Sequence, residues 1–467
     1  MRSQLKIVYF FYALIVAAVS FSSDVIAATP SFLPAAGPTS FVSLADIHFN
    51  PFYSCNKNNK VCPLINKLVI ASAAEWPKIL NQYDTQAPRY KEDTNYVLFK
   101  STLNELKKTA QQQHLQFVLV LGDFLSHDYK KNYQYYTGDT SGKGIHQFID
   151  KTMQFITKEL AAAFPNTNVY MVVGNNDSYA EHYTSQPVFY KNIAPIWSKL
   201  IQDKDNRAKM QKDFAKGGYY ALDIGSNAKS IPKKLRLIVL NTTFFSTRGA
   251  GMDRDAQREL NWLEKQLASV DNRHEKALIA LHIPNLPQVS ISRDIPVAAL
   301  GLWQTRYVDQ FLHLLRCSAP HIMAILPAHL HMDWEQLLQF NGANDIVISA
   351  TPSISPVVGN NPGYKVYYYD PEHYVLKNYF TYYYPLDEGK WKLEYAFNQT
   401  YQADCNVCTL EHGLKQLSKN ALHLKDYKNF FAVDRKISIF SNLIYPALVC
   451  NLQTPNNSEY KQCVDRY

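Results

Sequence analysis

The chain has 467 residues, 46 % hydrophobic and 19 % charged, with a net charge of +8. That length can bury a large core, and fits one big α/β domain with an appendage or two domains. The lysines are scattered, which reads as a solvated basic surface rather than a nucleic-acid groove; anionic substrates are compatible with this charge but not implied by it.

Residues 1–28 read as a secretory signal: Arg2 and Lys6, an apolar run Ile7–Phe21, then small residues near Val25-Ile-Ala-Ala28. The run is short for a membrane span, so cleavage is favoured over an uncleaved anchor, and no later stretch is long and apolar enough to cross a bilayer. Residues 29–40 are rich in Pro, Ser and Ala and look like an exposed leader. Ser40–Ala45 reads as a strand ending in Asp46-Ile-His48, and residues 49–94 as a long polar loop. Asn95–Gln113 has helical periodicity and feeds a second strand, Phe117-Val-Leu-Val-Leu121. That run stops at Gly122, Asp123 follows at once, and His127 comes four residues later.

Lys130–Gly144 is loop-like, Ile145–Phe164 is an amphipathic helix, and Asn168–Val173 is a strand ending in Gly174-Asn-Asn-Asp177. Polar helices fill about 178–230. Leu235–Leu240 is a strand, Asp255–Val270 a helix, and Lys276–Leu281 a strand ending in His282. After the apolar helix Gly301–Arg316, the strand His321–Leu326 ends in Pro327-Ala-His-Leu-His331. Asp345–Ala350, Tyr364–Asp370, Tyr374–Tyr383 and Lys390–Phe397 follow as strands with short turns. Alternating β and α elements thus give way to a β-rich region, as two sheets packed face to face require. The tyrosines, 32 in all, cluster at Tyr367–Tyr369 and Tyr382–Tyr384 and read as packed aromatic strands rather than a stacking platform.

Seven cysteines in an exported chain point to disulfides. Nearness in sequence pairs Cys55 with Cys62, Cys405 with Cys408 and Cys450 with Cys463, leaving Cys317 as an expected buried free thiol. A zinc site built from these cysteines is disfavoured, since only one CxxC occurs and oxidation competes. Asn-x-Thr/Ser acceptors occur at Asn241, Asn398 and Asn456, although such tripeptides are frequent by chance.

Five strand ends carry metal-type donors: Asp46 with His48, Asp123, Asn175, His282, and His329 with His331. Taken singly, an Asp-x-His or a strand-end Asn is usually a turn and a lone His a satisfied core residue. Together, seven O and N donors on one sheet edge are what a two-metal site needs, with a carboxylate bridging cations that polarise a phosphoryl group and activate a water. In D-x-H and H-x-H both side chains are expected to leave an extended strand end on the same side.

This ordered pattern of D-x-H, G-D, G-N-x-D, a lone His and x-H-x-H from Asp46 to His331 resembles the calcineurin-like metallophosphoesterases, and within them the acid sphingomyelinase-like phosphodiesterases. Gly122-Asp-Phe-Leu-Ser-His127, Gly218-Tyr-Tyr220, Gln257-Arg-Glu-Leu-Asn-Trp-Leu263 and Asn361-Pro-Gly-Tyr-Lys-Val-Tyr367 carry the closer likeness. The resemblance implies an α/β fold, a four-layer α-β-β-α sandwich of two mixed sheets flanked by helices, spanning 29–400. A small helical, disulfide-stabilised subdomain would follow at 401–467. One divalent ion would take Asp46, His48, Asp123 and His331, and the other Asp123, Asn175, His282 and His329, with Asp123 shared. Mixed His and carboxylate donors suit Zn²⁺, the metal of the sphingomyelinase-like branch.

Two departures matter. Where the family has Gly-Asn-His, this chain has Asn176, which cannot serve as a general acid. His127, which the resemblance places beside the scissile phosphate, becomes the expected proton donor. Some related endopolyphosphatases also read Gly-Asn-Asn-Asp, so Asn176 alone does not imply an inactive enzyme. Ala328 replaces a glycine, at little cost unless that backbone needs positive φ. The first strand comes soon after the signal, with no room for the extra Cys-rich lipid-loading domain of true acid sphingomyelinase. The expected activity is therefore hydrolysis of nucleotides or small phosphodiesters, with sphingomyelin or other phospholipid, or polyphosphate, as alternatives and a non-catalytic metal-containing binding protein behind them. A secreted or periplasmic monomer without a stable nucleic-acid partner is expected; contact with membrane lipid is left open.

Overall fold

The computed structural model describes residues 39–467 apart from 181, 225–233, 250, 286–289, 292–295, 298–301, 341–343, 403–407, 418, 436–448, 453–459, 461, 464 and 466–467. The signal expected at 1–28, Cys405 and Asn456 lie outside the described residues, as does the leader expected at 29–40 apart from Thr39 and Ser40, which belong to the first strand.

In chain order the elements begin with β1 (Thr39–Leu44), α1 (Pro63–Ile70), α2 (Trp76–Tyr83), α3 (Tyr96–Gln112) and β2 (Leu115–Val120). Then come α4 (Tyr129–Thr137), α5 (Lys143–Ala163), β3 (Asn168–Met171), α6 (Pro187–Trp197) and α7 (Lys204–Gly217). The second half starts with β4 (Tyr220–Asp223), β5 (Leu235–Val239), α8 (Asp253–Asn272) and β6 (Lys276–Ala280). A short pair, β7 (Ser290–Ile291) and β8 (Pro296–Val297), precedes α9 (Thr305–Ser318) and β9 (Ile322–Leu326). β10 (Glu335–Leu338), β11 (Ile346–Ser349), β12 (Gly363–Asp370), β13 (Val375–Tyr383) and β14 (Lys392–Ala396) follow, then α10 (Phe397–Tyr401), α11 (Leu410–Leu417) and α12 (Ala421–Phe430).

Two six-stranded mixed sheets form the centre. The first runs β14-β13-β12-β1-β2-β3 and the second β10-β11-β9-β6-β5-β4. β1, β2 and β3 are mutually parallel, as are β5, β6, β9 and β11; antiparallel strands flank them at both edges of the second sheet and at the β14 edge of the first, whose other edge is the parallel β3. The parallel strands read as unbroken apolar runs because both their faces are covered. An aromatic ladder crosses the first sheet through register partners Phe117, Phe41, Tyr367 and Tyr379. Successive ring centroids lie 4.6, 4.9 and 5.6 Å apart. The tyrosine clusters are therefore core.

Bonds between the sheets hold the sandwich. The Tyr220 hydroxyl of β4 donates to the Met171 carbonyl of β3 at 3.0 Å. At the opposite side Lys365 of β12, fully buried, lies 2.6 Å from Asp333 Oδ1 and 2.6 Å from Glu335 Oε1 of β10. Tyr379 also donates to Glu335, and Thr381 to Asp333. The Tyr427 hydroxyl of α12 accepts the Glu335 N–H, and the Asp333 N–H reaches the Phe431 carbonyl, which ties the C-terminal helices to this network. Asp333 stands two residues past His331.

Several expectations change. The segment 49–94 carries α1 and α2, each opening with a proline in its first turn, and Lys130–Gly144 contains α4. β10 escapes pattern reading because its polar residues are buried in the network just described. The Cys55–Cys62 and Cys450–Cys463 disulfides are present, and Cys408 is disulfide-bonded. Cys317 is exposed, not buried. The core stripe of α9 is Tyr307, Val308, Phe311, Leu315 and Ser318, and helical geometry turns position 317 off it. A thiol reagent added to the native protein is expected to label Cys317, and Cys317→Ser to remove that label. Asn241 is fully buried and donates to the Tyr190 hydroxyl and the Gly217 carbonyl, so it is no glycan acceptor in the folded chain.

Candidate metal centre

The strand ends of both sheets meet at one edge, where the His329 N–H reaches Asp46 Oδ2 across the sandwich at 3.2 Å and neighbouring loops hydrogen-bond within each sheet. The Asp46 N–H reaches the Gly122 carbonyl at 3.0 Å, the His48 N–H the Asp123 carbonyl at 2.8 Å, and the Ala328 N–H the His282 carbonyl at 3.0 Å. Gly122 has φ +93°, and a Cβ there would lie 2.8 Å from Gly174 N and His282 Nδ1. A Cβ on Gly174 would fall 2.1 Å from Asp123 Oδ1. The two glycines let the β2 and β3 loops close onto each other.

The backbone corrects the expectation of extended strand ends. Asp46, His48, Asp123, His329 and His331 all have positive φ, at 49°, 43°, 56°, 72° and 64°. Such conformations cost on the order of 1 kcal/mol or more per non-glycine residue and concentrate at functional sites. Ala328 is not among the positive-φ residues, so its methyl group meets no such penalty.

All seven donors named from the sequence come together. Ligating atoms of Asp46, His48 and His331 lie within 4.8 Å of one another, as do those of Asp123, His282 and His329. Asn175 Oδ1 is 3.1 Å from His282 Nε2. Asp123 Oδ2 stands between the groups, 3.5 Å from His48 Nε2 and 3.2 Å from His282 Nε2.

The donor set fits cations. His48 Nδ1 faces the Leu125 carbonyl at 3.0 Å, and His282 Nδ1 faces the Leu121 carbonyl at 2.7 Å. A carbonyl only accepts, so each Nδ1 carries the proton and Nε2 is left as a donor toward the centre. His48 Nε2 and His331 Nε2 are 3.2 Å apart, and Asp46 Oδ1 is buried without a hydrogen-bond partner. Burial, then the charges of neighbouring histidines, pushes His48 down to about 4 and His329 to about 3, with His331 also well below the ordinary range. Those rings stay neutral, the form that binds metal; burial lowers His282 as well, but Asp123 and Asp46 outweigh it and raise His282 to about 9, so a cation would displace its Nε2 proton. Burial pushes Asp46 up to about 8, whereas His282 and His48 overcome burial at Asp123 and hold it well below the carboxylate range.

His127 lies at the rim, its ring stacked on His48 at 4.4 Å. Its Nδ1 is 2.9 Å from Asp93 Oδ1, and its N–H donates to Asp93 Oδ2 at 2.9 Å. Burial lowers its pKa, but Asp93 outweighs burial and raises it. Asn176 is not aimed away from the donors: its N–H reaches Asp123 Oδ1 at 2.8 Å and its Nδ2 reaches Asp123 Oδ2 at 2.5 Å.

Sequence reading assigns no role to two residues here. Asp93 precedes Asn95, the N-cap of α3, and so looks like part of a helix start; its partner is 34 residues away. Asp177 ends the β3 loop, and its carboxylate accepts from the N–H groups of Gly174, Asp123 and Phe124 at 2.8–2.9 Å. A carboxylate one residue past the paired asparagines was the signal for it.

Known proteins share this arrangement of sequence. The calcineurin-like phosphoesterase family matches residues 40–331, and the acid sphingomyelin phosphodiesterase C-terminal region matches 344–467. The cyclic GMP-AMP phosphodiesterase SMPDL3A of Rattus norvegicus is 23 % identical over 93 % of this chain and 93 % of its own. The acid sphingomyelinase-like phosphodiesterase 3b of Homo sapiens is 22 % identical over 92 % and 90 %. The sphingomyelinase phosphodiesterase C of Dictyostelium discoideum is 20 % identical over 80 % and 82 %.

Proposed function

The chain belongs to the calcineurin-like phosphoesterases, as a hydrolase acting on phosphodiesters, and from that premise we propose an exported dinuclear enzyme that cuts phosphodiester or phosphoanhydride bonds of nucleotides or similar small substrates. The observation that carries the proposal is the gathering of Asp46, His48, Asn175, His282, His329 and His331 around Asp123. Two divalent ions, zinc in this reading, would polarise the phosphoryl oxygens and lower the pKa of a water when bound.

The protein's own groups do the rest. Asp123 is the shared donor, and Asn176 orients it through both its oxygens. Asp177 clasps the two loops that carry Asp123 and Asn175. Asp93 fixes the His127 ring through Nδ1 and leaves Nε2 to hand a proton to the leaving oxygen. Asn176 is thereby relieved of the acid role it lacks the chemistry to fill. Export is inferred from the first 28 residues and supported by the disulfides.

A second reading, cleavage of sphingomyelin, draws on the match of 344–467 to the acid sphingomyelin phosphodiesterase C-terminal region. Metal analysis with an assay panel of ATP, bis(p-nitrophenyl) phosphate, polyphosphate and sphingomyelin separates the readings. Preference for sphingomyelin by orders of magnitude would sink the nucleotide reading. Two bound metals with no turnover in the whole panel would leave a binding protein.

The proton donor has its own test. His127→Ala is expected to lower kcat on a dinucleotide about 10²–10⁴-fold, with a smaller loss on bis(p-nitrophenyl) phosphate, whose leaving group departs without a proton. Asp93→Asn is expected to fall between wild type and His127→Ala. Equal losses on both substrates would remove His127 from the acid role.

A further inference from the structure

On the His329 side of the centre stand two residues that the chemistry above does not use. Tyr183 has left-handed backbone, φ 59°, and its N–H is held by the Asn175 carbonyl at 2.9 Å. Its hydroxyl lies 3.4 Å from His329 Nε2, and its ring meets the His329 ring edge-on at 6.1 Å. Over the Tyr183 ring lies the exposed guanidinium of Arg248, 5.5 Å from the centroid. Arg248 hangs from the loop after β5, where its N–H is held by Ser246 Oγ at 3.1 Å.

An exposed arginine on a ring is common and by itself binds nothing. Three observations set this one apart. Tyr183 fixes the guanidinium beside a donor of the candidate centre. Among the described residues no carboxylate forms an ion pair with Arg248; its guanidinium hydrogen-bonds the Tyr183 hydroxyl, which uses only part of the five-donor fork. The exposed His182, next in sequence to Tyr183, brings its ring within 5.9 Å of the His127 ring, so His127 stands near the segment that carries Tyr183. A phosphoryl group held between the two donor groups would leave its neighbour one bridging oxygen away, within reach of the His329 side. A guanidinium fork suits that neighbour if it is a phosphate and repels it if it is a quaternary ammonium.

We propose that Arg248, laid on Tyr183, binds the non-scissile phosphate adjoining the bond that is cut. The site then selects phosphoanhydrides and multi-phosphate nucleotides over monophosphodiesters with a cationic head group. This rests on the phosphodiesterase reading above, which the test below separates from it.

The experiment compares the metal-replete wild type with Arg248→Ala and Arg248→Lys. The first readout is the ratio of kcat/KM for inorganic tripolyphosphate to that for bis(p-nitrophenyl) phosphate, which has no second phosphate. Arg248→Ala is expected to lower that ratio about 10- to 100-fold, mainly through KM, with Arg248→Lys recovering part of it. The second readout is calorimetric binding of non-hydrolysable imidotriphosphate, expected to weaken by a similar factor in Arg248→Ala. An unchanged ratio, or equal analogue binding by wild type and Arg248→Ala, overturns the subsite. If the wild type hydrolyses neither substrate, the proposed activity fails, and weaker analogue binding by Arg248→Ala still supports the subsite.

Discussion

Asp123→Ala is expected to leave no measurable turnover and fewer than two metal equivalents per chain. Loss of a hydrogen-bond partner behind a metal ligand already costs about 10- to 100-fold; Asp123 is placed to be the shared ligand itself, so its loss should exceed that range. Its Oδ2 lies 3.5 Å from His48 and 3.2 Å from His282, closer to both than Asp46 Oδ1 at 3.9 Å, and its Oδ1 holds the Asn176 N–H. Truncation removes the donor and the Asn176 bonds to it, while the Asp177 clasp on the β2 loop stays. Metal content by mass spectrometry after desalting, turnover of bis(p-nitrophenyl) phosphate and far-ultraviolet circular dichroism check the three parts. Two retained metals with wild-type turnover would refute a shared role for Asp123.

Lys365→Met is expected to be the most destabilising single change away from the centre. Lys365 is fully buried and is the cation between Asp333 and Glu335, both also buried. Taking one partner from a buried ionic group costs about 3–5 kcal/mol, because uncompensated charge stays behind. For a chain of this size that is a fall in Tm of about 3–6 °C. The double variant Lys365→Met with Glu335→Gln removes charge on both sides and is expected to recover part of the loss. Thermal melts of the four proteins form a double-mutant cycle. Additive effects would show that Lys365 acts independently of Glu335, for instance through its ammonium over the Tyr379 ring, 4.0 Å from the centroid.

The sheets and the donor set were legible because each donor follows a run that is apolar on both faces. Val118 to Leu121, Leu278 to Leu281 and Ile322 to Leu326 are all buried, and Asp123, His282 and His329 come within three residues of their ends. What sequence could not show depends on distant partners. Asp93 reads as helix-start polarity until the fold brings His127 to it. Lys365 reads as the polar interruption of a strand, although it is buried at the centre of a network. Asp and His tolerate left-handed backbone better than most residues, but nothing local demands it at Asp46 and His48; hydrogen bonds to the β2 loop and to Ser355 hold them there.

The pairing of β1 with β12 sets a clock on biosynthesis. Ser43 of β1 and Thr351, just past β11, touch although they are 308 residues apart in the chain. At 5–20 residues per second a ribosome needs about 15–60 s to make the intervening polypeptide. Through that interval β1 can join β2 and β3, but its other edge, Phe41-Val-Ser-Leu44, has no strand to receive. An apolar edge left unpaired for that long invites association between nascent chains. The nascent protein therefore depends on being shielded until its last third emerges, and ending translation after His331 would leave that edge open for good.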